Sequence, residues 1–324
     1  MKRLGAGIAV VSLGLALSGC ELRTPAWLEK LLPPPSVTER IGAGPEPVRW
    51  TMIDVTEGDK QADAHLIEFA DGTRYLIDSG FTGTKIIPFL RRHGIRRIDG
   101  VLITHMHKDH YGGLLPLIEA GVEVGEVRLN VPDRPLCEAE TTDRCDVRNI
   151  QETVDTLRNR KIPVRPAHRG DVLHRTADGK ASLDVLYAFN GPDNPAGTNG
   201  GVNDTSVIAA LSRGATRALF TGDLNRPLGE YLAVHGSDLQ AQVLKVPHHG
   251  TEACAPDLFF DRVGARLALV PAPGVLWKSD RSSRIRNYFE SRHVPVRVSG
   301  IDGDVEVALG PDPGPASPSP FPLK

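Results

Sequence analysis

Cysteine is scarce in this chain, with four among 324 residues. Only Cys137 and Cys145 stand close enough in sequence to close a short loop, the polar stretch from Glu138 to Arg144. Their pairing stays open, because it depends on export to an oxidising compartment. Cys254 reads as a small buried filler and not as a metal ligand. A basic excess is also lacking: 38 Lys and Arg stand against 40 Asp and Glu. Composition therefore gives no direct support to a nucleic-acid surface, which often carries a basic face. Beyond Cys20 no apolar run is long enough to cross a bilayer, so any membrane attachment needs another device.

Such a device is present at the start. Met1-Lys2-Arg3 precedes an apolar core from Ile8 to Leu17, of signal-peptide length and too short to span. Leu17-Ser18-Gly19-Cys20 resembles a bacterial lipobox, which implies cleavage before Cys20 and lipid on its sulfur. The expectation is an exported lipoprotein on the periplasmic side of the cell envelope, the membrane (inner or outer) staying open. Residues 1–19 then form the signal peptide, and 20–47 a lipidated cysteine with a Pro/Gly-rich tether. Residues 311–324 form a proline-rich disordered tail. The remainder, 48–310, is a size one α/β domain can fill.

That remainder alternates strand and helix. Apolar, strand-like runs cover 48–55, 65–70, 74–78 and 101–103, with a hairpin signal at Asp71-Gly72. Helical spacing covers 85–93 and 114–120. The plan repeats with strands at 183–186, 206–211, 218–220, 243–246, 267–270, 294–298 and 305–309, and helices at 228–235 and 282–292. Two such halves, each placing metal-ligand side chains at strand ends, predict a sandwich with its site at one edge.

The chemistry concentrates in His105-Met106-His107-Lys108-Asp109-His110. Three imidazoles and a carboxylate within six residues repel and desolvate one another unless a divalent cation reverses the cost. His105 and His107 follow a strand and can chelate one ion; Asp109 and His110 open the next element and can serve a second. Asp223 ends a strand and can bridge the two, while His248 ends another as a further ligand. Gly112-Gly113 permits close approach of the following helix.

In this order the motifs resemble the metallo-β-lactamase superfamily, and within it the hydrolase domain of the ComEC competence proteins. The resemblance runs from Trp50 to Gly310. It is carried by Leu76-Ile77-Asp78-Ser79-Gly80, by Leu102 through Gly113, by Asn203-Asp204-Thr205-Ser206, by Leu219 through Asp223 and by Lys245 through Thr251. It implies an α/β fold, an αββα sandwich of two mixed sheets with helices outside, holding two divalent ions, zinc or manganese. It makes His105, His107, Asp109, His110, Asp223 and His248 the metal ligands and Asp78 a carboxylate steadying the histidine loop. Many members carry a histidine where this chain has Asn203 and Asp204; an oxygen from either can replace it, favouring harder ions. Lys60 to Asp63 looks like an insertion in a loosely matching start. Trp277 to Arg281 stands where related chains carry a histidine loop.

The expected chemistry is hydrolysis by a metal-activated water, with Asp109 orienting the nucleophile. His249 either donates a proton to the leaving group or is a buried histidine bonded to backbone. Lys278 and Arg281 can hold an anionic group or form a solvated loop. The leading expectation is a phosphodiesterase or nuclease. The alternatives are hydrolysis of a lactone, thioester or related carboxylic bond, or a non-catalytic metal-binding lipoprotein. No protein partner can be named.

Overall fold

A computed structural model describes residues 36–140, 145–188 and 201–314. The signal peptide, Cys20 and residues 315–324 lie outside the described residues. In chain order the strands are β1 (Ser36–Ile41), β2 (Val48–Met52), β3 (Ala64–Glu68), β4 (Arg74–Ser79), β5 (Arg97–Leu102), β6 (Glu123–Arg128) and β7 (Val164–Arg165). There follow β8 (Val172–Arg175), β9 (Ala181–Tyr187), β10 (Ile208–Arg213), β11 (Thr216–Phe220), β12 (Val243–Lys245), β13 (Leu267–Pro273), β14 (Val296–Val298) and β15 (Asp304–Leu309).

They build two mixed sheets. One runs β1-β15-β2-β3-β4-β5-β6-β7 and the other β14-β13-β12-β11-β10-β9-β8. Strict alternation along the strands sorts their side chains into three cores. Trp50, Ile77, Phe220, Val243 and Leu269 point between the sheets. Leu76, Val101 and Ile103 face outward on the first sheet, where Ile86, Phe89 and Leu90 of the helix Ile86–Arg92 cover them. Leu219, Leu244 and Ala268 face outward on the second, beneath Phe259, Phe260 and Phe289. The layers are therefore helix, sheet, sheet, helix, as expected.

Two boundaries differ from the sequence reading. Ser36–Ile41, expected inside the tether, is β1, paired in parallel with β15. Asp312, expected in the tail, bridges to Ala43. The edge of β15 recruits Ser36–Ile41, because an unpaired strand edge leaves a row of backbone donors and acceptors unsatisfied, and the bridge from Ala43 to Asp312 extends that pairing.

The parallel register decides where the site lies. β4 pairs in parallel with β5, and β11 with β12 and β12 with β13. Parallel neighbours end on the same edge, so the loops after them converge. Val207 N donates to Thr104 O at 2.8 Å, joining the two halves at that edge.

Candidate metal centre

Four loops meet at this edge. Asp78 closes β4, His105 to His110 follow β5, Asp223 follows β11, and His248-His249 follow β12. Lys108 is exposed, and every other one of these residues is buried, His248 the least so at 8% exposed.

Each imidazole is held from behind, and the opposite nitrogen is left facing the centre. His110 Nδ1 lies 2.8 Å from Asp78 Oδ2, while its Nε2 is 3.4 Å from Asp223 Oδ1. Asp78 also accepts from the backbone N and the hydroxyl of Thr104, each at 2.8 Å, so one carboxylate fixes the loop and its last histidine. His249 Nδ1 lies 2.8 Å from Pro271 O, which leaves Nε2 3.4 Å from Asp109 Oδ2 and 3.3 Å from Asp223 Oδ2. His105 Nε2 and His107 Nδ1 stand 3.0 Å apart. His107 turns its Nε2 to Glu140 Oε2 at 2.7 Å. His248 Nδ1 lies 2.7 Å from Asn225 Oδ1, and its Nε2 is 3.4 Å from Asn203 Nδ2 and 4.0 Å from Asp223 Oδ2.

This donor set fits divalent ions. Asp109 Oδ1, His110 Nε2, Asp223 Oδ1 and His249 Nε2 are buried with no hydrogen-bond partner in the protein. Buried polar atoms are normally satisfied, and orphans on neighbouring carboxylates and imidazoles call for a cation. Asp63, His110, Asp223 and His249 each bring a ligand atom within 4.8 Å of the others. Asp63, however, approaches His110 and His249 at their Nδ1 atoms, at 3.6 and 3.7 Å. It therefore lies behind the rings whose Nε2 atoms face the centre, while Asp109 takes the front. Asp63 instead pairs with the buried ammonium of Lys245 at 2.5 Å. That ammonium also donates to Gly222 O at 2.7 Å and stands 3.5 Å from Asp223 Oδ1.

The electrostatics follow from this crowding. Burial opposes the charge on Asp223, yet His249 and His110 outweigh it and hold the carboxyl well below its usual range. Asp109 is held low in the same way, against burial, by His249 and His110. Burial works against protonation of His249, but Asp223, Asp63 and Asp109 raise it to about 9. His105 goes the opposite way: burial, then His110 and His107, push it well below its ordinary value. Asp204 is raised to about 6 by burial, against a backbone N–H from Asn225.

The backbone at the last loop is strained to present its side chains. His248 and His249 have φ of 46° and 54°, and Gly250 follows at 72°. Consecutive non-glycine residues in the left-handed region cost about 1–2 kcal/mol each. The strain lets adjacent histidines both turn toward the edge.

The structure brings His105, His107, Asp109, His110, Asp223, His248 and His249 together and sets Asp78 behind them. Of the two candidate substitutes, Asn203 faces His248, whereas Asp204 Oδ1 accepts from Asn225 N at 3.3 Å. Lys278 ends the short helix Gly274–Lys278 and Arg281 lies in the single turn Asp280–Ser282, both exposed. Cys137 and Cys145 are disulfide-bonded, with Cα atoms 5.4 Å apart. Sequence reasoning missed Asp63, Lys245, Glu140 and Asn225. Lys245 had a signal: a charge inside the apolar run Val243-Leu244-Lys245-Val246 needs a buried partner. Asp63 sits immediately before β3 and belongs to the fold, so the apparent insertion ends before it.

Comparison with known proteins places these residues in context. Residues 58–131 match the model of the metallo-beta-lactamase superfamily. The chain is 24% identical over 239 residues to ComE operon protein 3 of Bacillus subtilis (strain 168), covering 68% of this chain and 28% of that protein. It is 38% identical over 61 residues to ribonuclease Z of Archaeoglobus fulgidus, covering 19% of each. Among solved structures it is similar to Igni18, a metallo hydrolase from Ignicoccus hospitalis, at 14% identity and a TM-score of 0.46, covering 80% of this chain and 97% of that one. The chain thus spans about a third or less of the length of the curated relatives it matches.

Proposed function

We propose that this chain, whose residues 58–131 match the metallo-beta-lactamase superfamily, is a metal-dependent hydrolase that cleaves phosphodiesters with two divalent ions, zinc or manganese. The observation that carries the reading is the set of buried, unpartnered atoms on Asp109, His110, Asp223 and His249, with His249 Nε2 3.4 Å from Asp109 Oδ2 and 3.3 Å from Asp223 Oδ2. In this reading these four residues hold one ion. His105 Nε2 and His107 Nδ1 hold the other, with His248 or Asn203 in place of the absent third histidine. Asp223 serves both, since Oδ1 faces His110 and Oδ2 faces His249 and His248.

When bound, the ions supply an activated water and a Lewis acid for an anionic oxygen. The residues supply the rest. Asp109 orients the water through the carboxylate oxygen that the protein leaves unpartnered. Asp78 and Pro271 O keep His110 and His249 in the tautomer whose Nε2 lone pair faces inward. His249 is thus assigned to metal holding, and the leaving-group proton falls to His248 or to solvent. His248 is 8% exposed, so it can reach both the site and bulk water. Trp277 of the helix Gly274–Lys278 packs against Gly250, and Lys278 and Arg281 are exposed at the end of that helix and in the turn after it. They are suited to an anionic substrate strand.

Asn203 and Asp204 standing where many related chains carry a histidine, and the likeness to ribonuclease Z over 61 residues, favour phosphodiesters, nucleic acid included, over lactones and thioesters. The test is incubation of manganese- and zinc-loaded protein with labelled single-stranded DNA and RNA, beside an Asp109→Asn control. Metal-dependent cleavage lost in the control is the expected result. Turnover of a lactone or thioester panel with no cleavage of nucleic acid would move the assignment to carboxylic bonds.

Attachment to the envelope through lipid on Cys20 belongs to the same proposal. No helix among the described residues is long and apolar enough to cross a membrane. Cys20→Ser is expected to release the protein from the membrane fraction, and an unchanged membrane fraction would remove the anchor.

A further inference from the structure

Each histidine at the centre has a partner behind it, and one of those partners comes from an unexpected place. Asp78, Pro271 and Asn225 lie next to, or on strands leading into, the centre itself. Glu140 does not. It follows the short helix Arg134–Glu138 and lies between the disulfide-bonded Cys137 and Cys145, which are eight positions apart. Its Oε2 meets His107 Nε2 at 2.7 Å, and its Oε1 accepts from Val202 N at 3.0 Å. Val202 opens the single turn Val202–Thr205, which carries Asn203. One carboxylate therefore ties the first-ion histidine loop to the turn that faces His248. Both half-cystines are buried, so the strap is anchored in the first sheet's outer core.

We propose that Glu140 is a positioning residue for the first ion, and that the Cys137–Cys145 disulfide holds it there. This rests on the metal-centre reading above. A carboxylate accepting from Nε2–H fixes the tautomer that leaves the Nδ1 lone pair of His107 facing His105. His107 is fixed by no Asp78-like carboxylate of its own loop, so the first site depends on a distant strap where the second does not. The disulfide fixes Cys137, three residues before Glu140, to Cys145, which limits the positions open to the carboxylate. The consequence is selective: loss of the strap weakens one ion and spares the other.

The experiment compares wild type, Glu140→Ala, Glu140→Gln and the Cys137→Ser/Cys145→Ser double variant. Each is equilibrated with zinc against a chelator of known affinity, and bound metal is counted by elemental analysis. Nitrogen-15 NMR of the metal-free proteins reads the His107 tautomer. Wild type is expected to bind two ions. Glu140→Ala is expected to keep one and to bind the other about 10–100-fold more weakly, as outer-shell losses do. The His107 resonance is expected to lose its single-tautomer signature. Glu140→Gln keeps one acceptor and the side-chain size, so it should fold even if Glu140→Ala does not, and should lose less. The double cysteine variant is expected to fall on the Glu140→Ala side. Wild type with two ions and variants that match it in affinity and tautomer would overturn this proposal alone. Wild type that binds no ion would overturn the metal-centre reading and this proposal with it.

Discussion

Lys245 shows how a single residue can carry the metal-free state. Its ammonium is fully buried between Asp63 and Asp223, two carboxylates that burial alone would keep neutral. Replacing it by Met preserves volume but leaves two buried charges with one fewer cation. Breaking such a pair costs about 3–5 kcal/mol. Lys245→Met is therefore expected to melt at lower temperature, and added metal is expected to recover much of the loss by compensating Asp223. Equal losses with and without metal would show that Lys245 acts independently of the centre. Protons give a second residue-scale test. His249 is raised to about 9 without metal, so its proton adds stability fully present below its unfolded pKa and lost as pH rises through 9. An ion must displace that proton, and His110, raised well above its usual value against burial by Asp223 and Asp78, must yield one too. Metal affinity is expected to rise with pH up to about 9, with proton release seen by calorimetry in buffers of different ionisation enthalpy. A flat profile would contradict protonated ligands.

At the scale of the element, two turns set the geometry through glycine. A Cβ on Gly113 would lie 2.0 Å from Ser79 O, and one on Gly112 would lie 2.3 Å from Phe81 O. Neither backbone atom can yield, because Ser79 ends β4 and Asp78 beside it holds the histidine loop. Gly113→Ala is expected to push the helix Leu114–Glu119 off the sheet and lower metal affinity as well as stability. Urea unfolding with parallel metal titration checks both, and an unchanged midpoint would refute the close approach. Gly250 has a different reason. At φ 72° it continues the left-handed run of His248 and His249, and its Cβ would sit 3.0 Å from Trp277. Gly250→Ala is expected to cost about 1–2 kcal/mol in the same assay.

For the whole molecule, the inter-sheet layer links stability to the site. Trp50 is fully buried between the sheets, 4.5 Å from Phe220 by ring centroid. Its Nε1 donates to His65 Nδ1 at 3.3 Å, and His65 Nε2 lies 3.7 Å from Asp63. Core and centre are thus joined through His65 and Asp63. Trp50→Ala is expected to cost about 3–5 kcal/mol, read as a shifted urea midpoint. A cost below about 1 kcal/mol would mean that the sheets do not pack as described. At the sandwich edge Arg297 of β14 meets Glu39 of β1 at 2.6 Å. This pair crosses from one sheet to the other but is partly exposed, and exposed pairs contribute little.

The sequence by itself determined the strand–helix alternation, the edge location of the site and most of its side chains, because those signals are local. Period-two runs bury one face, and His105 to His110 lie within a single turn. Asp146, capping the helix Val147–Asn159 through the backbone N of Arg148 and Asn149, was equally legible as a signal, though no helix was expected there. Tertiary structure alone decided what depends on pairing across long separations. β1 could not be told from tether, since an edge strand exists only where β15 offers an edge. Which face of each imidazole meets the centre could not be read either. That depends on Pro271, Asn225 and Glu140, each more than twenty residues from the histidine it holds. Sequence names the ligand types, but the partner behind each ring fixes which nitrogen is free, and only the folded chain brings that partner into place.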